Sequence, residues 1–236
     1  MVFSKFAKFI YVQIFRGLRV VAHLTGMHGI LLKHSQNRKA HWLLSLSAIH
    51  DIDAMVELGV PWWTYDAIDK IEEFLAGKPN AKVFEYGSGA STIWLAKRSQ
   101  HVTSIEHDPS WNKIVTERLN QFSNVDAKLI LPDFEYDPKF RSNKVKRKSF
   151  KNYVKSIENK GEKFDLIIID GRARVACLSI AFSCLARGGL IVFDNSLRKE
   201  YRSSIEAVEG QTDNYYGLLP ALPYPDQTTL IYPISD

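Results

Sequence analysis

Apolar positions along the chain change period several times, and each change marks an element. Residues 40–58 and 64–76 repeat apolar side chains at helical spacing, and Gly59, Pro61, Gly77 and Pro79 punctuate their ends. From residue 82 onward short Val/Ile/Leu-rich runs alternate with helical stretches. The runs at 82–86, 101–106, 127–131, 164–170 and 190–194 predict strands, and the periodicity at 91–98, 109–122 and 174–186 predicts the helices between them. Runs as unbroken as DLIIID and GLIVFD signal strands covered on both faces, as in a parallel sheet. After Asp194 a helix over 197–208 precedes extended segments at 215–219 and 228–232, whose Pro-rich connection leaves no room for a helix; they should pair antiparallel at one edge. The prediction is an α/β fold, a doubly wound, mostly parallel seven-stranded sheet with an antiparallel C-terminal hairpin, preceded by N-terminal helices.

Upstream, Phe3, Phe6, Ala7, Ile10, Tyr11, Ile14 and Leu18 recur at helical spacing, while Lys5, Lys8, Arg16 and Arg19 fall largely on other faces. This predicts an amphipathic helical extension over residues 1–38, followed by one α/β domain over 39–236. Such a helix either packs on the domain or a partner, or lies on an anionic membrane face. Arg16 and Arg19 interrupt the apolar stretch and no small-x-small site follows, which disfavours a cleavable signal. No run reaches the roughly 18 apolar residues of a membrane span.

A composition of 45% hydrophobic and 24% charged residues excludes a disordered, collagen-like or disulfide-scaffold chain. The net charge of +5 is local: between Lys139 and Lys163 ten Lys or Arg stand against Glu158 and Glu162, so the rest of the chain is acidic. This basic insert, residues 138–163, also carries Phe140, Phe150 and Tyr153. It reads as a solvated face, a flap over the site, or a grip for an anionic substrate or membrane; nucleic acid is not expected, because no RNA-binding module flanks it. Cys177 and Cys184 form no CxxC pair and read as reduced core thiols of a cytoplasmic protein, with peripheral association at the membrane's cytoplasmic face left open. The histidines have neither His-x3-His nor HExxH spacing, so no zinc site is expected.

The chemistry concentrates in VFEYGSGASTIWLA, where a strand passes an acid and two glycines into a helix. Gly87 and Gly89 allow a sharp turn and close approach of a ligand, and the helix start favours an anionic group. Thr92 stands where a dinucleotide fingerprint has its third glycine, and Glu85 would repel a diphosphate. A ligand bearing both ammonium and carboxylate suits the loop better. Glu106 follows Gly89 by 17 residues and ends the next strand, where a carboxylate accepts the hydroxyls of an adenosine ribose.

EYGSGAST, IEHD, FDLIIIDG and GGLIVFDN, in this order, resemble a class I S-adenosylmethionine-dependent methyltransferase over roughly residues 81–195. The resemblance implies that Glu85, Gly87, Ser88, Gly89, Ser91 and Thr92 cradle the methionine part of S-adenosylmethionine. It places Glu106 on the ribose, His107 at the border of the adenine, and Asp133 as an adenine contact. Asp170, Asp194 and Asn195 are similar to the triad with which catechol-type O-methyltransferases hold a divalent cation, Mg²⁺ or Ca²⁺ by donor chemistry. Those enzymes place a lysine three residues after the first Asp, where this chain has Ala173, flanked by Arg172 and Arg174. Asp170 and Arg174 are the catalytic candidates. In the alternative, Asp170 contacts cofactor or substrate directly and Asp194-Asn195 cap the next helix or turn. Trp62-Trp63 either cover the cofactor edge or pack in the core; Arg198 and Tyr201 either face the substrate or solvent.

The expected activity is transfer of a methyl group to an oxygen, less readily a nitrogen, of a small-molecule or glycan-type acceptor. Two rivals remain, an NAD-dependent oxidoreductase and a non-catalytic scaffold working through its N-terminal helix and basic insert.

Overall fold

The computed structural model describes residues 13–15, 17, 20–22, 24–48, 51–142, 145–158 and 161–233. Helices α1 (Met27–Lys33), α2 (Arg38–Ser45), α3 (Ile52–Leu58) and α4 (Tyr65–Ala76) precede the sheet. The single helix expected over 40–58 is therefore broken: a 3-10 turn, Leu46–Ala48, closes the first part, and the Asp51 side chain accepts from Ala54 N to start the second. Strands β1 (Lys82–Tyr86), β2 (His101–Glu106) and β3 (Val125–Leu129) alternate with α5 (Ala90–Ala96) and α6 (Pro109–Leu119). A small hairpin, β4 (Arg141–Ser142) and β5 (Val145–Ser149), leads into α7 (Lys151–Lys155). Then come β6 (Phe164–Ile169), α8 (Arg174–Cys184), β7 (Leu185–Asp194), α9 (Lys199–Glu206), β8 (Gly210–Gly217) and β9 (Asp226–Pro233).

The main sheet has seven strands in the order β3-β2-β1-β6-β7-β9-β8. The first five are parallel to their neighbours, and β9 joins β7 and β8 antiparallel. Strand parity divides the core. Phe84, Tyr86, Ile167 and Ile169 face the cluster under α7, α8 and α9, while Val83, Leu166 and Ile168 face the cluster under α4 and α5.

The basic insert is more structured than its composition suggests. Phe150, Tyr153, Val154 and Ile157 are fully buried against β1 and β6, and Tyr86 Oη donates to Val154 O at 2.6 Å. Parallel β3 and β6 need a crossover between them, and the apolar side of this segment supplies it. Phe150 and Tyr153 are thus core residues, not platforms for stacking bases.

Most of the amphipathic pattern at 1–18 lies outside the described residues. Beyond it, Val20, Val21, Leu24, Met27 and Ile30 are exposed, and α1 buries no residue. By contrast α2 is anchored: Arg38 pairs with Asp66 and Asp69, and Trp42 Nε1 donates to Leu222 O at 2.8 Å. No helix among the described residues is long and apolar enough to cross a membrane. Cys177 and Cys184 are buried free thiols.

Candidate active site

The carboxyl ends of β2, β1, β6 and β7 lie side by side, and the strand order reverses between β1 and β6. Open α/β sheets bind ligands at such a reversal. Tyr86 pairs with both Ile105 and Ile169, so Gly87, Glu106 and Asp170 leave the sheet at one level.

The turn after β1 is braced by its neighbours. Gly87 N donates to Ile105 O at 2.9 Å, Gly89 N to Thr92 Oγ1 at 2.9 Å, and Trp111 Nε1 to Ser88 O at 2.7 Å. Gly87 has φ +104°, and a Cβ there would lie 2.9 Å from Gly171 N and Cα. Two turns meet backbone to backbone at this point, so a side chain is excluded by the protein itself. Gly89 differs, because its backbone is extended and an added Cβ would meet nothing nearer than 3.9 Å. The fold does not require glycine at 89; what its bare backbone provides is clearance in front of α5.

Glu85 lies beneath this turn with no exposure. Strand alternation turns it toward α5, where its carboxylate accepts from Ser91 Oγ and Thr92 Oγ1, each at 2.5 Å, and from Ser104 Oγ at 2.6 Å. Burial raises its pKa to about 7, against the pull of the three hydroxyls. The Glu85 carboxylate thus braces the turn from within through three hydroxyls, and the geometry gives it no direct exposure toward a ligand ammonium. Ser88 Oγ likewise turns inward, 2.7 Å from Ser104 Oγ. Of the six residues expected around the methionine part, Gly87, Ser88 and Gly89 offer backbone, while Glu85, Ser91 and Thr92 form the support.

Glu106 ends β2 and is nearly buried, yet its turn engages one oxygen only: His107 N at 2.6 Å and Asp108 N at 2.7 Å both donate to Oε1. His107 accepts from Arg172 Nε through Nε2 at 3.0 Å, and its Nδ1 lies 2.6 Å from Glu106 Oε1. The ring packs edge-on against Phe150 and Tyr153, so His107 joins the ends of β2 and β6. Asp133 is spent elsewhere. Its carboxylate accepts from Lys151 N and Asn152 N and caps the start of α7.

At the ends of β6 and β7 the two aspartates close on Arg174. Its Nη2 donates to Asp170 Oδ1 and Asp170 O, each at 2.7 Å, its Nε to Gly171 O at 3.2 Å, and its Nη1 to Asp194 O, with Asp194 Oδ2 3.9 Å away. Burial, and then the charge of Asp170, hold the Asp194 carboxyl well above the usual carboxylate range, while Thr228 Oγ1 donates to it at 2.9 Å. Asn195 donates to Asp226 Oδ2 at 3.1 Å and accepts from Arg198. The three residues expected to hold a divalent cation do not fit one here: a guanidinium sits between the carboxylates and the amide is tied outward. Among the described residues no cluster of three or more His, Cys, Asp or Glu is suited to a metal.

Trp63 is a core residue, edge-on to Trp94, whereas Trp62 tilts over Trp111 with ring centroids 6.5 Å apart. Tyr201 is buried on Phe193, with Arg174 and Arg198 each about its ring, 5.9 and 6.0 Å from the centroid. Sequence reasoning missed Ser104 and Trp111. Ser104 is the cross-strand partner of Glu85, and that register was the available signal; Trp111 comes after the IEHD turn with nothing to distinguish it.

Residues 84–196 match the family described as a methyltransferase domain. Solved structures share the architecture at low identity. A Staphylococcus aureus protein assigned as a caffeoyl-CoA O-methyltransferase aligns at TM-score 0.55 and 17% identity, covering 89% of this chain and 99% of that one. An rRNA methylase from Streptococcus thermophilus aligns at TM-score 0.51 and 14% identity over 70% of this chain and 95% of that one. A protein assigned as a methyltransferase from Streptococcus mutans, in complex with SAH, aligns at TM-score 0.50 and 12% identity over 70% and 97%. These likenesses establish the fold. Among curated proteins none matches the chain.

Proposed function

Residues 84–196 form a methyltransferase domain of the class I, S-adenosylmethionine-dependent type, and on that premise we propose that the protein methylates an oxygen of a small-molecule or glycan-type acceptor. The observation that supports this most is the juxtaposition, at one sheet edge, of the Gly89 turn with room for a Cβ, a Glu106 carboxylate engaged through one oxygen, and Asp170 across the strand reversal. S-adenosylmethionine, when bound, supplies a methyl group already activated on a sulfonium. The backbone of Gly87, Ser88 and Gly89 would take the methionine part, and Glu106 Oε2 the ribose hydroxyls, with His107 and Arg172 closing the adenine side. Asp170, with 22% of its side chain exposed, would orient the acceptor hydroxyl and receive its proton at a carboxylate oxygen. Holding the acceptor in line at close range accounts for much of the acceleration.

Residues 39–236 would be the catalytic unit and 1–38 a helical extension. The exposed apolar side chains from Val20 to Leu32, together with the basic hairpin, suit an anionic membrane face on the cytoplasmic side. Sedimentation with phosphatidylserine vesicles, comparing the full chain with residues 36–236, tests that placement; equal recovery of both would refute it.

The activity is tested by calorimetry with S-adenosylhomocysteine, followed by transfer of labelled methyl to a panel of phenols, sugars and amines. One equivalent bound and label on oxygen is the expected result. No binding, or fluorescence enhancement of NADH in its place, would overturn the assignment, and label on nitrogen alone would overturn the oxygen preference.

A further inference from the structure

We propose that Arg174 is a resident cation, a guanidinium built into the place between Asp170 and Asp194 where a divalent ion would otherwise sit, so that the site orients its acceptor without a metal. The inference rests on the methyltransferase reading and concerns how that same site is charged. Arg174 is the first residue of α8, an 11-residue helix, and its side chain is 4% exposed. Neither fact favours a cation: the helix start carries positive partial charge, and burial removes the guanidinium from water. What offsets both is the Asp170 carboxylate at 2.7 Å, the carbonyls of Asp170, Gly171 and Asp194, and the Asp194 carboxyl 3.9 Å away. That shell is rich in oxygen, the donor chemistry of a hard-cation site, and it is filled by nitrogen donors of the chain.

The backbone is arranged for this. Ala173, at the position where the catechol-type pattern has lysine, adopts φ +48°, a conformation that side chains with a Cβ seldom take. That left-handed residue ends the turn after β6 and starts α8 with Arg174 directed back over Asp170 and Asp194. The same guanidinium lies 5.9 Å from the centre of the Tyr201 ring, which closes it from the side of α9. Asp170 is the one member of the group with an appreciably accessible side chain, at 22% against 4% for Arg174 and 3% for Asp194. Arg174 is accordingly a positioning residue: it fixes the Asp170 carboxylate toward the acceptor and does not itself reach it. A guanidinium also stays protonated and cannot be chelated away, unlike a bound ion.

The test is Mn²⁺ titration of the full chain followed by electron paramagnetic resonance, with and without S-adenosylhomocysteine, for the wild type, Arg174→Ala and Arg174→Lys. The free Mn²⁺ signal should remain undiminished with the wild type and with Arg174→Lys, and fall with Arg174→Ala, in which the cation between the two aspartates is removed. Methyl transfer by the wild type should survive EDTA unchanged. One equivalent of Mn²⁺ bound by the wild type at micromolar concentration, or loss of transfer in EDTA, overturns the proposal. So does an Arg174→Ala protein that keeps S-adenosylhomocysteine affinity yet binds no Mn²⁺. Should Arg174→Ala not fold, the wild-type titration decides alone. Failure to bind S-adenosylhomocysteine at all would strike the methyltransferase reading, and that measurement is independent of the Mn²⁺ signal.

Discussion

Glu85 and Glu106 are buried acids near the carboxyl ends of neighbouring strands, and their carboxylates are bonded in different ways. Glu85 stands one residue short of the end of β1 and faces α5, where three hydroxyls use both of its oxygens. Glu106 is the last residue of β2, and the following turn occupies only Oε1. One position along a strand separates the two outcomes. A final residue meets the amides of its own turn, whereas a residue one step back is walled in by the next strand and the covering helix. An acid near a glycine turn is therefore not a ligand contact by its type alone.

Truncating Glu85 is expected to have the largest effect. Glu85→Ala leaves the hydroxyls of Ser91, Thr92 and Ser104 without their acceptor in a closed space, which should cost about 3–5 kcal/mol of stability. Chemical denaturation would measure it, and a loss under about 1 kcal/mol would mean the network is not the support inferred from it. Next in size is a pH effect. With the folded-state pKa of Glu85 at about 7 against an ordinary 4.5, the folded protein holds a proton that the unfolded chain releases, so stability falls as pH rises through that window. The contribution is about 3 kcal/mol, gone by about pH 8. Glu85→Gln should flatten the profile of unfolding free energy between pH 5 and 8; a profile identical to wild type would contradict the assignment.

Glu106→Gln should leave the fold intact by circular dichroism and weaken S-adenosylhomocysteine by about tenfold to a hundredfold in calorimetry, the worth of hydrogen bonds to a charged acceptor. An unchanged affinity would remove Glu106 from the site. Smallest is Gly89→Ala, which should shift stability by no more than about 1 kcal/mol, since the added methyl meets no protein atom closely. Affinity should nonetheless fall by about tenfold, because the clearance is taken. If binding survives, the ligand does not pass over residue 89.

Much of the scaffold was legible because it is periodic. The parallel strands β1, β2, β6 and β7 announced themselves by runs of buried residues, and Gly87, Glu106 and Asp170 by standing at their ends; β8, which buries no residue, was expected at 215–219 and in fact runs Gly210–Gly217. What could not be read depends on contacts between distant residues. Whether Asp133 meets a ligand or caps α7 turns on where Lys151 and Asn152 come to lie, 18 and 19 positions later. The basic insert masked its core residues because Lys and Arg dominate its composition while Phe150, Tyr153, Val154 and Ile157 carry its packing. Arg174 was visible as a residue near Asp170, but its burial between two carboxylates arises only once β7 is placed beside β6.

The contact between Gly87 and Gly171 sets a further condition on how this molecule can work. Because the two turns touch through main chain alone, no rotamer can relax between them, and a shift of one is passed to the other. On the proposed function, the sheet itself would act as a fixed ruler between methyl donor and methyl acceptor, and adaptation to differently sized acceptors would fall to the outer walls.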